Sequence, residues 1–221
     1  MSRAAVTMHG LAVLVLLAMG FWGAALYSSL PEFEPTHWNS GGEADAFGQK
    51  SIWTTFGLLL IASVWVLTTA AVHCALNRSR LLVPAERRVY DLSFGYVNLS
   101  LAALFAWVSL SGWYGLELGP LFIAFVLLAG MPVLIIIGFH LPAMTKERKA
   151  MMDPNEPSMD PTHWVLGGFF YNNPKDPRAF VPKPPHTGTG VTMNLSSTGG
   201  RLALIGILLL IVVGLVLPFL L

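Results

Sequence analysis

The residues best suited to chemistry in this chain fall in one short stretch, where His37-Trp38-Asn39 is followed by Asp45 and Lys50. An imidazole, an amide, a carboxylate and an ammonium within fourteen positions could recognise a peptide, an ion or a lipid head group. Turn chemistry alone also accounts for most of these residue types, since Asn and Asp hydrogen-bond their own backbone and Pro and Gly surround them. A second group, Trp164, Tyr171, Asn172, Asp176 and Asn194, lies in a proline-rich stretch and offers aromatic and amide contacts to a ligand or partner. Three histidines, His9, His73 and His140, stand in apolar runs, where ionisable side chains default to a functional reading. Each sits near one end of its run, so contact with water or head groups explains it equally well.

Sets that would support catalysis or metal binding are missing. There is no His-Glu-x-x-His and no Gly-x-Ser-x-Gly, the patterns of zinc proteases and of serine hydrolases. Gly188-Thr189-Gly190 is followed by Met193 where a dinucleotide fingerprint wants another small residue. A lone Cys74 reads as a small apolar residue. No catalytic residue, metal site or cofactor is therefore expected.

The elements that must hold these residues follow from composition. Of 221 residues 54% are hydrophobic and 11% charged, and the mean hydropathy is +0.63, far from the roughly 25% charged of a soluble domain. A net charge of +1 gives no basic surface for nucleic acid. Windows free of Asp, Glu, Lys and Arg run over 4–31, 51–77, 92–116, 118–145 and 202–221. Each is long enough to cross about 30 Å of hydrocarbon as a helix. Gly112, Gly115, Gly119 and Pro120 around Glu117 predict a tight helical hairpin between the third and fourth. The expected fold is an all-α membrane protein with five transmembrane helices. It divides into a four-helix region 1–145 with an outer loop 31–50, a small irregular Pro-rich insertion 146–200, and a final helix 201–221.

Twelve of the thirteen Lys and Arg fall in the N-terminal tail, the second connection (Arg78, Arg80, Arg87, Arg88) and the fourth. Lys50 alone lies on the other side. The positive-inside bias then puts the N-terminus and residues 146–200 in the cytoplasm and the C-terminus outside. The second-connection arginines set topology and meet anionic lipid. Arg3 before an apolar run and Gly23-Ala24-Ala25 supply parts of a signal peptide, but the run is long for one and is expected to stay as a crossing. Within 146–200 a hairpin is expected over 167–181. Glu34-Pro35-Thr36-His37-Trp38 and Asp160-Pro161-Thr162-His163-Trp164 echo each other, and coincidence of two turn motifs is the expected explanation.

Leu30-Pro31, Pro35-Thr36-His37-Trp38-Asn39, Gly42, Asp45, Gly48 and Lys50 resemble a short bacterial membrane domain of unknown function. That domain stands at the N-terminus of sporulation-delaying-toxin immunity proteins, and the likeness covers about residues 8–75. Trp164, Gly168, Tyr171-Asn172-Asn173-Pro174, Asp176-Pro177-Arg178, Phe180-Val181 and Thr192-Met193-Asn194-Leu195 are similar to a second uncharacterised domain, over about 160–200, often attached to the first. The Asn-Pro…Gly-x-Arg-Thr signature that follows in the immunity proteins is missing between Asn77 and Thr145. The resemblance thus implies a multi-pass protein of a bacterial inner membrane, non-catalytic, in sensing, immunity or interaction. Its partners would be the bilayer, a peptide at the outer loop and a cytoplasmic protein. A small transporter or transporter accessory subunit is the other class, suggested by Asn98 and by Gly130, Pro132, Gly138 and Pro142 in the fourth run.

Overall fold

The computed structural model describes residues 1–221 apart from Ser40, Arg80, Pro120 and Leu221, and excludes the side chains of 210–220. The topological role read for Arg80, the turn role of Pro120 and the terminal position of Leu221 therefore fall outside the described residues.

The chain is 65% helical. Helix α1 covers Arg3–Leu26, capped by Ser2, whose hydroxyl accepts from the Ala5 amide at 3.2 Å. A 3-10 turn, Tyr27–Ser29, leads into a hairpin of β1, Phe33–Trp38, and β2, Ala44–Gln49. Helix α2, Ile52–Arg78, starts in a capping box. There the Ser51 hydroxyl accepts from Thr54 N and the Thr54 hydroxyl from Ser51 N, which satisfies two amides the helix cannot. Helix α3, Pro84–Tyr114, begins with proline at its first position and ends at Gly115, whose φ of +63° favours glycine. Helix α4 covers Leu121–Met151 and helix α5 Thr198–Leu220.

Among the described residues four helices, α1 with its 3-10 extension, α2, α3 and α4, are long and apolar enough to cross a membrane. The expected tight hairpin joins α3 to α4. Helix α3 outruns its charge-free window, opening eight residues earlier than Leu92 with Glu86, Arg87, Arg88 and Asp91 inside it. A window that rejects charge cannot see a helix whose first turns carry it.

Helices α1, α2 and α3 pack around Ala12, Leu16, Leu59, Ala62, Val66, Ala102 and Trp113. The alanines let backbones approach, as membrane bundles require when lipid removes the usual hydrophobic drive. Gly23 serves the same end, since a Cβ there would lie 2.5 Å from the Trp113 ring. Helix α4 lies against α3, with Trp107 against Phe125 at 5.6 Å between ring centres. Its other apolar side chains, among them Leu134 and Phe139, stay exposed, as a lipid-facing helix permits. Pro132 removes the amide that the Leu128 carbonyl would accept from in an unbroken α4. The Tyr96 hydroxyl of α3 donates to that carbonyl. This is how a proline is tolerated at membrane depth, with a neighbour satisfying the freed group.

The rest is not all-α. Residues 152–197 form 3-10 turns and two small hairpins, β3 (Trp164–Val165) with β4 (Phe170–Tyr171) and β5 (Phe180–Pro182) with β6 (Val191–Met193). The single hairpin expected over 167–181 does not form. Gly167 and Gly168, at φ +66° and +89°, make the turn between β3 and β4, and Pro174 and Pro177 interrupt the chain before β5. The two echoing stretches also differ. Residues 34–38 lie in a strand, whereas 161–163 form a 3-10 turn.

Candidate functional site

Within 31–50, β1 and β2 pair as a two-stranded antiparallel hairpin. Its register is irregular around Pro35 and His37, which accommodates a proline that cannot donate to the ladder. Across the strands His37 Nδ1 and Asp45 Oδ1 lie 2.5 Å apart, both exposed. Asn39 builds the turn, its Oδ1 accepting from Gly41 N and Glu43 N at 2.8 and 3.1 Å. Lys50 donates to the Tyr27 and Leu30 carbonyls at 3.2 and 3.0 Å and lies 5.5 Å from the Tyr27 ring centre. It thereby places a cation at the carboxyl end of α1, where the helix dipole favours one. Trp38 leans on α3 at Gly112, and its Nε1 is buried without a partner among the described residues. Of the five residues singled out here, Asn39, Lys50 and Trp38 hold the hairpin in place, and His37 and Asp45 face outward.

Glu34, named in sequence only as part of the echoed stretch, docks this hairpin on α2. Both its oxygens lie within 2.9 Å of the Thr55 hydroxyl and the residue is 2% exposed. Burial pushes its pKa up, against the Thr55 hydrogen bond and Lys50. At the hairpin tip the Gly42 carbonyl accepts from Leu118 N at 2.9 Å, and a Cβ on Gly42 would strike the Gly119 backbone at 2.4 Å.

At the other end of the bundle, three helices bring together side chains that lie far apart in sequence. Asn98 Nδ2 donates to His9 Nδ1 at 2.9 Å, His9 Nε2 lies 2.9 Å from His73 Nδ1, and His73 Nε2 lies 2.8 Å from Asp91 Oδ1. The Thr69 hydroxyl reaches Asn98 Oδ1 at 2.6 Å. With Asp91 ionised and both imidazoles neutral, every contact in this chain pairs one donor with one acceptor. His9, His73, Asp91 and Asn98 are all buried. Asp91 reaches His73 because it enters the bundle through the charged first turns of α3. The chain stops beneath the apolar layer of Ala12, Ala62, Val66 and Ala102. His140 lies outside it, bonded to the Ile136 carbonyl of its own helix.

The proline-rich module is knotted by its own polar groups. Asn194 is fully buried, with Nδ2 donating to the Asn173 and Asp176 carbonyls and Oδ1 accepting from Asn173 N and Ser196 N. Tyr171 is fully buried and its hydroxyl accepts from Asn173 Nδ2. Trp164 donates to the Ser158 carbonyl at 2.8 Å, and Asn172 accepts from the Ser196 hydroxyl at 2.5 Å. Asp176 is gripped by Arg178 at 2.6 and 2.9 Å, which holds its carboxyl below the usual range and raises the guanidinium pKa. Of this second candidate group, Asn172 alone is exposed.

A buried ion pair joins the module to the bundle. Arg148, near the end of α4, donates to both oxygens of Glu86 in the first turn of α3, and also to the Leu81 and Gly190 carbonyls. Glu86 accepts in addition from Val83 N and from Gly190 N of the module, the latter at 2.7 Å. Glu86 is 0% and Arg148 5% exposed. In sequence Arg148 is one of the topology-setting charges and nothing links it to Glu86, because 62 residues separate them. The one available signal was a glutamate three positions into a helix that opens with proline.

Among the described residues no group of three or more His, Cys, Asp and Glu is placed to hold a metal ion. Comparison with known proteins finds a match to a domain of unknown function (DUF1648) over residues 14–62, from the middle of α1 through the hairpin into α2. No curated protein and no solved structure matches the chain.

Proposed function

We propose that the protein is a non-catalytic sensing or immunity-type protein of a bacterial inner membrane. In this reading α5 is a fifth crossing and the N-terminus and the 146–200 module face the cytoplasm. The hairpin faces outward and recognises a peptide, and the module engages a cytoplasmic protein. One observation carries the reading. Helix α3 is the shared support of both extramembrane pieces, with Gly112 under Trp38 near one end and Glu86 on Gly190 at the other. Its 31 residues span about 46 Å at 1.5 Å per residue. A displacement of the hairpin is therefore delivered along a single rigid element to the module, which is what a transmembrane sensor needs.

The test is a deletion strain complemented with the wild type or with His37→Ala/Asp45→Asn. The reading expects loss of resistance to an antimicrobial or signalling peptide on deletion, and no restoration by the double variant. Unchanged sensitivity to peptides and envelope stress on deletion would remove it. Transport is the second reading, favoured by the buried His9–His73–Asp91 chain, since intramembrane ionisable groups mark ion pathways. Flux in proteoliposomes that Asn98→Leu abolishes would select it.

A further inference from the structure

A cleft of about 720 Å³ opens at the module end of the bundle, between the start of α1, the α2–α3 turn, the first turns of α3 and the end of α4. Two kinds of surface meet in it. Arg87 and Arg88, consecutive on α3, both line it, while Leu82, Leu92 and Met151 supply apolar walls. Neither arginine is in an ion pair among the described residues; Arg87 donates to the Asn77 carbonyl and Arg88 is exposed. Both stand near the amino end of α3, where the helix dipole disfavours cations, so their placement does not serve the helix. Two acidic neighbours are already engaged. Glu86 is bound by Arg148, and Asp91 accepts from Ser2 N, His73 and Asn77 at 2.5, 2.8 and 3.2 Å. The cleft thus presents a net positive mouth beside apolar walls. It lies at the level where α4 passes from exposed Leu141 to the exposed Lys146 and Lys149, as a helix does on leaving hydrocarbon for the head-group layer.

We propose that this cleft is a binding site for an anionic phospholipid, its head-group phosphate between Arg87 and Arg88 and the adjoining acyl carbons on Leu82, Leu92 and Met151. Charge complementarity calls for the phosphate. The apolar walls, which a soluble anion would leave wet, call for the chain attached to it.

The purified full chain in zwitterionic detergent is titrated with phosphatidylglycerol, phosphatidylcholine or inorganic phosphate. Binding is read by native mass spectrometry and by the thermal shift. The anionic lipid is expected to bind and raise the melting temperature, and the other two are expected not to. Arg87→Gln and Arg88→Gln should each weaken that binding about fivefold, the effect of one basic side chain at an anionic surface. Lys146→Gln/Lys149→Gln removes two exposed charges at the same end outside the cleft and should change it less than about twofold. An equal loss in the control pair would show diffuse attraction and overturn the proposal, as would equal protection by inorganic phosphate or by phosphatidylcholine. If Arg87→Gln loses the wild-type melt in the absence of lipid, Arg88→Gln and Arg88→Lys decide. The first must weaken binding and the second must keep most of it.

Discussion

Replacing Arg148 with methionine tests the junction between bundle and module directly. Arg148 supplies Glu86 with two charge-assisted hydrogen bonds and also ties the Leu81 and Gly190 carbonyls. Methionine fills much of the same volume but leaves a carboxylate with no cation in a site 0% exposed to solvent. Removing one partner of a buried pair typically costs about 3–5 kcal/mol. Here the Val83 and Gly190 amides still donate to Glu86, so a value near 3 kcal/mol is expected. Glu86→Gln in the same background removes the stranded charge while keeping an acceptor for Gly190 N, and should recover more than half of that loss. Thermal unfolding in nanodiscs measures the first effect. Limited proteolysis between Met152 and Thr198, followed over time, measures release of the module. A melting temperature and cleavage rate for Arg148→Met equal to wild type would refute the claim that this pair fastens the module. An unrescued double variant would refute the assignment of the cost to the stranded charge.

Two further outcomes follow from single contacts. Tyr96→Phe should cost about 1–3 kcal/mol by leaving the Leu128 carbonyl unpaired. The same substitution should cost little in a Pro132→Ala background, where the restored amide serves that carbonyl; equal costs in both backgrounds would deny the pairing. Glu34 binds its proton more tightly in the folded protein than its ordinary 4.5, because burial outweighs Thr55 and Lys50. Its contribution to stability is thus full below about pH 4.5 and is lost as pH rises through its higher folded value. Melting curves from pH 4 to 8 should show this decline in the wild type and not in Glu34→Gln.

The membrane helices were legible because hydrocarbon imposes a demand that composition records directly, and the turn at Gly115 because glycine is needed there for a positive φ. The polar interior was not legible, for two physical reasons. Its partners are remote in sequence, with 64 residues between His9 and His73 and 62 between Glu86 and Arg148. Their charges also mimic loop residues, so that Asp91 and Glu86 seemed to lie outside the span they belong to. The hairpin at 31–50 was recognisable as turn-rich but not as strands, because Pro35 argues against a ladder that only the irregular register at His37 allows. Of the residues proposed as contacts, His37, Asp45 and Asn172 remain outward. The others were singled out for a polarity that the fold uses internally.

The pairing of Tyr96 with the carbonyl above Pro132 bears on how the chain enters the bilayer. Alone in lipid, α4 would carry a bare carbonyl at depth, a cost of several kcal/mol for each such group. Partitioning as a unit with α3, it meets the Tyr96 hydroxyl on entry, and the short α3–α4 turn keeps the two helices adjacent. The third and fourth segments should therefore leave the insertion machinery as a pair rather than one after the other, with the tyrosine acting as an escort for the proline.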